Sequence, residues 1–191
     1  MINADLGHVT SVEEFHKEIR RQQEEAHGED YCAIHDAITK YMKDCKSYME
    51  LGTHQGGTAS AALLCKPKRV HLVDKDLSRY NRFLKPLAEK YVKENNIEFT
   101  AKQVDSRSLA STEVVDMLMI DSYHQPHHMM AELNTHGNNV TKYIIAHDTS
   151  IINSKPNDGL YQVLKTFGER AGWEVVEHCT DNVGYTVIKK K

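Results

Sequence analysis

The segment 47–65 constrains the fold most, because it joins a short apolar run to a helical run through a turn rich in glycine. The apolar run ends at Gly52, and Gly56 and Gly57 precede an Ala/Leu-rich stretch over 58–65. Glycines permit positive φ and let a ligand approach the backbone, and the following helix N-terminus presents free N–H groups. A strand, a glycine turn and a helix in this order predict an open α/β sheet with a cofactor site at the turn.

The spacing of the turn, Gly-x-x-x-Gly-Gly, differs from the Gly-x-Gly-x-x-Gly of dinucleotide sites and from the lysine-containing phosphate loop. No lysine follows the second glycine of the pair, which disfavours a nucleoside triphosphate. A carboxylate at Glu50 would repel a pyrophosphate and attract a cation. The turn therefore favours S-adenosylmethionine, which carries a sulfonium and an amino group, over NAD. The predicted cofactor-binding residues here are Glu50, Gly52, Thr53, Gly56 and Gly57.

Short apolar runs alternate with amphipathic stretches along 44–191, a pattern typical of repeating βα units and a mostly parallel sheet. After the first strand, predicted strands cover 69–73, 97–104, 114–120 and 143–146, and a closing hairpin covers 173–178 and 184–188. Predicted helices cover 58–65, 76 or 77 to at least 91, 126–136 and 158–170, with a loop at 149–157. We expect residues 1–191 to form one Rossmann-like α/β domain with a mostly parallel, seven-stranded sheet that ends in an antiparallel hairpin.

Residues 1–43 are predicted to form a helical cap on this α/β core. A helix begins at Thr10 or Ser11 and ends near Gly28, and a second helix covers 30–43. The first helix has few apolar positions. The N-terminal helices could therefore be exchanged between the subunits of a homo-oligomer. Both helices precede the first strand, so we expect them to flank the cofactor crevice and to shape the pocket of the second substrate.

Acidic or polar residues end the predicted strands, and ligands of open α/β sheets bind beyond the carboxyl ends of strands. These residues are Glu50, Asp74, Asp105, Asp121 and the pair His147-Asp148, and Asp121 is predicted both to contact the cofactor and to take part in catalysis. One such acid alone would be a turn or cap residue, as we expect for Asp76, but a feature repeated at five strand ends indicates a site. Asp74 follows Gly52 by 22 residues, close to the ~20-residue offset of an acid that binds ribose hydroxyls. Asp105 and Ser106 are predicted to lie beside the adenine, whose exocyclic amine can donate a hydrogen bond to a carboxylate.

The stretch 48–83 contains Glu-Leu-Gly-Thr-His-Gln-Gly-Gly-Thr and Val-Asp-Lys-Asp-Leu-Ser-Arg, and it resembles class I S-adenosylmethionine-dependent methyltransferases. More narrowly, it is similar to the group that contains cephalosporin hydroxylase-like and macrocin-type O-methyltransferases. The sequences Ile-Asp-Ser-Tyr-His at 120–124 and Ile-Ala-His-Asp-Thr at 145–149 extend the resemblance over about 44–188. It implies O-methylation of a hydroxyl on a small molecule, such as a sugar, a polyol or a phenolic diol.

The resemblance also implies a divalent cation, usually Mg²⁺, beside the cofactor, with Asp121, His147 and Asp148 at the metal positions. The first member of the pair at strand 5 is ordinarily an acid, and here it is a histidine. Mg²⁺ prefers oxygen ligands, whereas imidazole suits Mn²⁺, Fe²⁺ or Zn²⁺. Three alternatives stay open: His147 points away and the two aspartates hold Mg²⁺, the metal differs, or no metal binds.

The resemblance would also place His124, three residues after Asp121, where catechol-type enzymes have a catalytic lysine. An imidazole with a pKa near 6.5 can accept a proton from a hydroxyl at neutral pH, so His124 is the predicted general base. The neighbouring His127 and His128 lack the glutamate and cysteine partners of zinc sites, and we expect them to be solvated. His54 is expected to position backbone or face solvent rather than catalyse.

Composition excludes few functions. The chain is 40% hydrophobic with a formal net charge of −3, which indicates no general affinity for nucleic acid or anionic membranes. Four scattered cysteines and the absence of a signal-like or ~20-residue apolar run favour a cytoplasmic protein. Alternative hypotheses are a non-catalytic S-adenosylmethionine-binding or assembly protein and, less favoured, an NAD(P)-dependent oxidoreductase. Nucleic-acid methylation and a hydroxylase iron site find no supporting motif.

Overall fold

A computed structural model describes residues 4–110, 113–152 and 155–191. Seven strands form one sheet in the order β3-β2-β1-β4-β5-β9-β8, in which β1 to β5 are parallel and β9 pairs antiparallel with β5 and β8. Their bounds are β1 Ser47–Leu51, β2 Arg69–Asp74, β3 Glu98–Gln103, β4 Val115–Ile120, β5 Val140–His147, β8 Trp173–Cys179 and β9 Tyr185–Lys190. The predicted Rossmann-like fold with a closing antiparallel hairpin is thereby confirmed.

Helices cover both faces of this sheet. Their bounds are α1 Val12–His27, α2 Ala33–Met42, α3 Gly57–Leu64, α4 Ser78–Phe83, α5 Lys85–Glu94, α6 Pro126–His136 and α7 Gly159–Ala171. Successive strand residues point to opposite faces, so Tyr48 packs in the core beneath α1 to α5, whereas Met49 packs in the core beneath α6 and α7. Within the described residues, no helix is long and apolar enough to cross a membrane.

The N-terminal helix follows the sequence signal closely. Ser11 has extended backbone, and its side chain accepts a hydrogen bond from the backbone N–H of Glu14, which makes it the N-cap of α1. The second predicted helix is divided, since a 3₁₀ turn over Glu29–Cys32 precedes α2.

Two other predicted elements are corrected by the structure. The single helix expected from 76 or 77 to 91 is two helices, α4 and α5, that meet at Leu84. Pro86 explains the break, because proline lacks an N–H and suits only the first turn of a helix. The predicted loop 149–157 contains a short antiparallel pair, β6 Ile151–Ile152 and β7 Lys155–Pro156, and its residues 153 and 154 lie outside the described residues.

The strand order reverses between β1 and β4, which places a topological switch point at their carboxyl ends. The two strand ends come very close together there. Gly52 has φ +94°, and a Cβ built on it would lie 2.2 Å from the backbone oxygen of Asp121. Only glycine fits this contact, so the first glycine of the turn lets the chain leave β1 directly beside the end of β4.

Candidate functional site

A cavity of about 510 Å³ opens at the switch point, at the carboxyl ends of β1 to β4. Six of the residues that line it are Gly52, Asp74, Asp105, Ser106, Asp121 and Ser122. The first five of these are residues for which the sequence predicts cofactor contacts. The fold therefore brings residues far apart in the chain to one cavity.

Asp74 connects the end of β2 to the glycine turn. Its Oδ2 accepts the backbone N–H of His54 at 2.7 Å, and its Oδ1 accepts that of Asp76 at 2.9 Å. His54 has a positive φ of 48° and lines the cavity, consistent with a role in positioning backbone. Asp76 in turn accepts the N–H of Ser78, the first residue of α4, at 2.9 Å, but the N-cap position of this helix is Leu77 rather than the predicted Asp76.

Glu50 lies behind the turn and does not line either cavity that the structure contains at this edge. Its side chain is fully buried and accepts a hydrogen bond from the hydroxyl of Tyr48. Burial raises the pKa of Glu50 to about 8, so the carboxyl is largely protonated at neutral pH. The sequence argument assumed a charged group facing the ligand, and this placement differs on both points.

A second, smaller cavity of about 40 Å³ lies between the N-terminal helices and the glycine turn. Thr53 and Gly57 line it from the turn, and Tyr31 and His35 line it from the N-terminal segment. Asp121 borders both cavities. The helical cap therefore borders the crevice beside Asp121.

Gly56 does not line either cavity, but its conformation shapes the turn. It has a left-handed φ of +93°, and an added Cβ would lie 2.4 Å from Cδ2 of Leu84. The residue therefore allows the turn to pack against the junction of α4 and α5 just before α3 begins.

Asp121, His124 and Asp148 meet beside the larger cavity, with one potential ligand atom from each within 4.8 Å of the others. Nε2 of His124 lies 3.1 Å from Asp121 Oδ1 and 3.0 Å from Asp148 Oδ2. Nδ1 of His147 lies 3.4 Å from Asp121 Oδ2 and 3.5 Å from Asp148 Oδ2, so this ring faces the two acids. The alternative in which His147 points away is not the arrangement found, and His124 joins the set that the sequence assigned to a metal.

The two imidazoles and the two carboxylates of this cluster stabilise each other's charges. Burial disfavours the imidazolium of His124, but its hydrogen bonds to Asp121 and Asp148 outweigh burial and raise its pKa to about 10. The pKa of His147 is also raised, because its interaction with the charge of Asp121 outweighs the opposing effect of burial. The pKa of Asp121 is lowered, because the charge of His147 outweighs burial. In this arrangement His124 carries a proton at neutral pH and cannot act as a base until it loses that proton.

Asp148 holds this position in a strained backbone conformation. Its φ is +56°, which is uncommon for a residue other than glycine. Such outliers persist where the surrounding structure imposes them and are concentrated at functional sites.

Helix α6 carries polar residues that the sequence analysis did not identify. His127 is exposed as expected, but His128 is buried and lines the larger cavity, so the expectation of a solvated side chain was wrong for it. One turn further along the helix, Glu132 is fully buried. The repeat of His128, Glu132 and His136 every four residues, on one face of a helix, was the available signal.

Comparison of the sequence with protein-family models and with curated proteins gives no match. Solved structures with the same fold include a candidate caffeoyl-CoA O-methyltransferase from Staphylococcus aureus, with a TM-score of 0.67 and 14% identity over 96% of this chain and 93% of that one. Another is magnesium protoporphyrin IX methyltransferase from Synechocystis PCC 6803 with bound S-adenosylmethionine, with a TM-score of 0.62 and 10% identity over 97% of this chain and 86% of that one.

A third similar structure is an O-methyltransferase from Bacillus cereus in complex with S-adenosylhomocysteine, with a TM-score of 0.58 and 15% identity over 96% of this chain and 92% of that one. The neighbours differ in the atom or molecule they methylate and agree in being methyltransferases. At these identities the similarity establishes the Rossmann-like methyltransferase fold, while the narrower group suggested by the sequence stays a prediction.

Proposed function

We propose that the chain is an S-adenosylmethionine-dependent O-methyltransferase that acts on a hydroxyl of a small molecule with help from a divalent cation. One observation carries the proposal: Asp121 lines the large cavity at the switch point and also belongs to the cluster with His124 and Asp148. A cofactor in the cavity and a cation in the cluster would share this residue. The methyl group and the activated hydroxyl would then lie side by side, as an in-line transfer requires.

The cavity suits each part of the cofactor. Asp74, Asp105 and Ser106 all line the cavity. In the bound state Asp74 would accept hydrogen bonds from the ribose hydroxyls, and Asp105 and Ser106 would lie beside the base. Glu50 is buried and largely neutral, so the negative charge for the ammonium and sulfonium groups would come from Asp121 instead. This change of residue keeps the preference for a cationic cofactor over a pyrophosphate.

The donor set fits a cation. Two carboxylates and one or two imidazoles within this distance favour Mn²⁺, Fe²⁺ or Zn²⁺ over Mg²⁺, which prefers oxygen ligands throughout. A bound cation would lower the pKa of an acceptor hydroxyl. Binding would also require neutral imidazoles, so His124 would release its proton and become either a ligand or the general base. The acceptor would approach between Tyr31 of the cap and the exposed Tyr123.

Calorimetric titration with S-adenosylhomocysteine and with NAD⁺, each in the presence and absence of Mn²⁺ or Mg²⁺, tests the proposal. We expect S-adenosylhomocysteine to bind at micromolar levels, NAD⁺ to give no heat of binding, and Mn²⁺ to bind more tightly than Mg²⁺. Binding of NAD⁺ alone, or of neither nucleoside at millimolar concentration, would overturn it.

The raised pKa of His124 favours one second candidate, a non-catalytic S-adenosylmethionine-binding protein whose cluster is a permanent network of ion pairs. Methyl transfer from labelled cofactor to a panel of diols, polyols and sugars separates the two. In a methyltransferase, transfer depends on Mn²⁺ and is lost in Asp148→Ala. A binding protein would take up the cofactor equally well as wild type and as Asp148→Ala, and would transfer no methyl group in either form.

A further inference from the structure

The polar face of α6 is directed at one residue, Ser106. His128, Glu132 and His136 are 7%, 0% and 1% exposed. Burying three polar groups on one helix face is costly unless each has a partner. The Ser106 hydroxyl donates to Oε1 of Glu132, His136 Nε2 donates to the Ser106 carbonyl at 2.8 Å, and His128 Nε2 lies 3.5 Å from Oγ. The helix thus holds both the backbone and the hydroxyl of Ser106.

One oxygen of Glu132 contacts the side chains of Ser106, Ser122 and His128, which form one wall of the large cavity. Oε1 of Glu132 accepts the hydroxyl of Ser106, accepts that of Ser122 at 2.6 Å, and lies 3.2 Å from Nε2 of His128. Oε2 of Glu132 has no hydrogen-bond partner within the described part of the chain. Oε1 is therefore the oxygen through which Glu132 contacts the residues of this wall.

This arrangement decides what the wall can offer a ligand. Ser106, Ser122 and His128 all line the large cavity, whereas Glu132 does not. A hydroxyl has one proton and two lone pairs. Because both serine protons point to Glu132, only the lone pairs of these hydroxyls remain for the cavity, whereas both oxygens of the neighbouring Asp105 already accept hydrogen bonds from Arg107. A group that binds against the two serine hydroxyls must therefore donate hydrogen bonds.

We propose that Glu132 is a positioning residue that makes this wall select the 6-amino group of the cofactor's adenine against a 6-oxo purine. The inference rests on the proposed function, in that it takes an adenosyl nucleoside to occupy the cavity. A 6-oxo group would set its own lone pairs against those of the serine hydroxyl that the 6-amino group would meet, and would leave that hydroxyl without a donor. Sites that require a hydrogen bond from the ligand discriminate strongly against analogues that lack the donor.

The test compares the dissociation constants of S-adenosylhomocysteine and S-inosylhomocysteine, which differ only in the 6-position and the proton on N1. We expect the wild type to prefer the adenosyl compound by at least ~30-fold. In Glu132→Leu no acceptor remains on this side chain, so the protons of Ser106 and Ser122 can turn towards the cavity. The preference should then fall to within about threefold, while Glu169→Leu at an exposed site on α7 serves as a matched control and keeps the wild-type ratio.

The ratio of two affinities separates selection from a merely structural role, because general loosening of the cavity weakens both nucleosides alike. If Glu132→Leu fails to fold, Ser122→Ala replaces it, since this change removes one oriented hydroxyl and leaves the bond between Glu132 and Ser106. The preference should drop severalfold in Ser122→Ala as well.

Three results would contradict the inference. Equal binding of the two nucleosides by the wild type, or an unchanged ratio in a folded variant, would overturn it alone. Binding of neither nucleoside would overturn the proposed function together with it.

Discussion

Two acids at the ends of adjacent strands, Glu50 and Asp121, differ in almost every physical respect. In the register of β1 and β4, Leu51 pairs with Ile120, so Glu50 lies one residue inside its strand and Asp121 one residue beyond its own. Glu50 shares the pleat face of Tyr48 and is fully buried, whereas Asp121 reaches the crevice. Glu50 pairs with Met119, two residues before Asp121, so the two acids share one face of the sheet, and they differ in that Glu50 lies within its strand whereas Asp121 lies beyond the end of its own.

The partners of the two acids follow from this difference. Glu50 accepts from a tyrosine hydroxyl, a neutral donor that does not offset burial, and its pKa rises to about 8. Asp121 lies beside two imidazoles that become charged, and its pKa falls. A strand-end acid therefore acts as a binding group only where the fold supplies a counter-charge in front of it; elsewhere it supports the backbone.

The largest effect that would sharpen this comparison is expected from neutralising each acid in turn. Asp121→Asn should reduce methyl transfer by at least ~100-fold, because it removes a charge shared by the cofactor cavity and the cation cluster. Glu50→Gln should change cofactor affinity less than about threefold, since the buried group is already largely neutral at pH 7. Steady-state rates and calorimetric affinities at pH 7 measure both. Equal losses in the two variants would restore Glu50 to the direct role that the sequence predicted.

The stabilising contributions of His124 and Glu50 should both decrease as pH rises, but over different pH ranges. His124 has a folded pKa raised to about 10, so its contribution to stability is full below pH 6.5 and is lost as pH rises towards 10. Glu50 has a folded pKa raised from 4.5 to about 8, so its contribution is full below pH 4.5 and is lost as pH rises towards 8. Stability should therefore decline from pH 5 to pH 10.

Urea unfolding of His124→Gln and of Glu50→Gln at successive pH values resolves the two contributions. The histidine variant should flatten the decline above pH 6.5, and the glutamate variant should flatten it between pH 4.5 and 8. Saturating Mn²⁺ should stabilise the wild type increasingly as pH rises, because cation and protons compete for the same groups. A pH profile left unchanged by His124→Gln would contradict the ion-pair network.

The smallest effect concerns two neighbouring histidines of α6. His128→Ala should lower the free energy of unfolding by about 1–3 kcal/mol, because it leaves the buried Oε1 of Glu132 with one partner fewer. His127→Ala, at an exposed site one residue earlier, should change it by less than about 0.5 kcal/mol. Thermal or urea unfolding of the two variants gives the comparison, and similar values would mean that His128 is not part of the network.

Much of the fold could be predicted because its signals are local. Ser11 caps a helix, Gly52 permits a sharp exit from a strand, and alternating apolar runs identify parallel strands and the closing hairpin. These features depend on a few consecutive residues and on backbone preferences that hold in any context. The division of one predicted helix at Leu84 was missed, although Pro86 in the same stretch carried the signal.

The sequence by itself determined the class of fold, the glycine turn after the first strand and the polar residues at the strand ends, since all three follow from patterning and glycine positions. Only the tertiary structure decided which acid meets a counter-charge, that His124 and His147 both face Asp121, and that Glu132 gathers two serine hydroxyls. Those outcomes depend on contacts between residues distant in the chain, where burial and nearby charge set the protonation and the direction of each hydrogen bond.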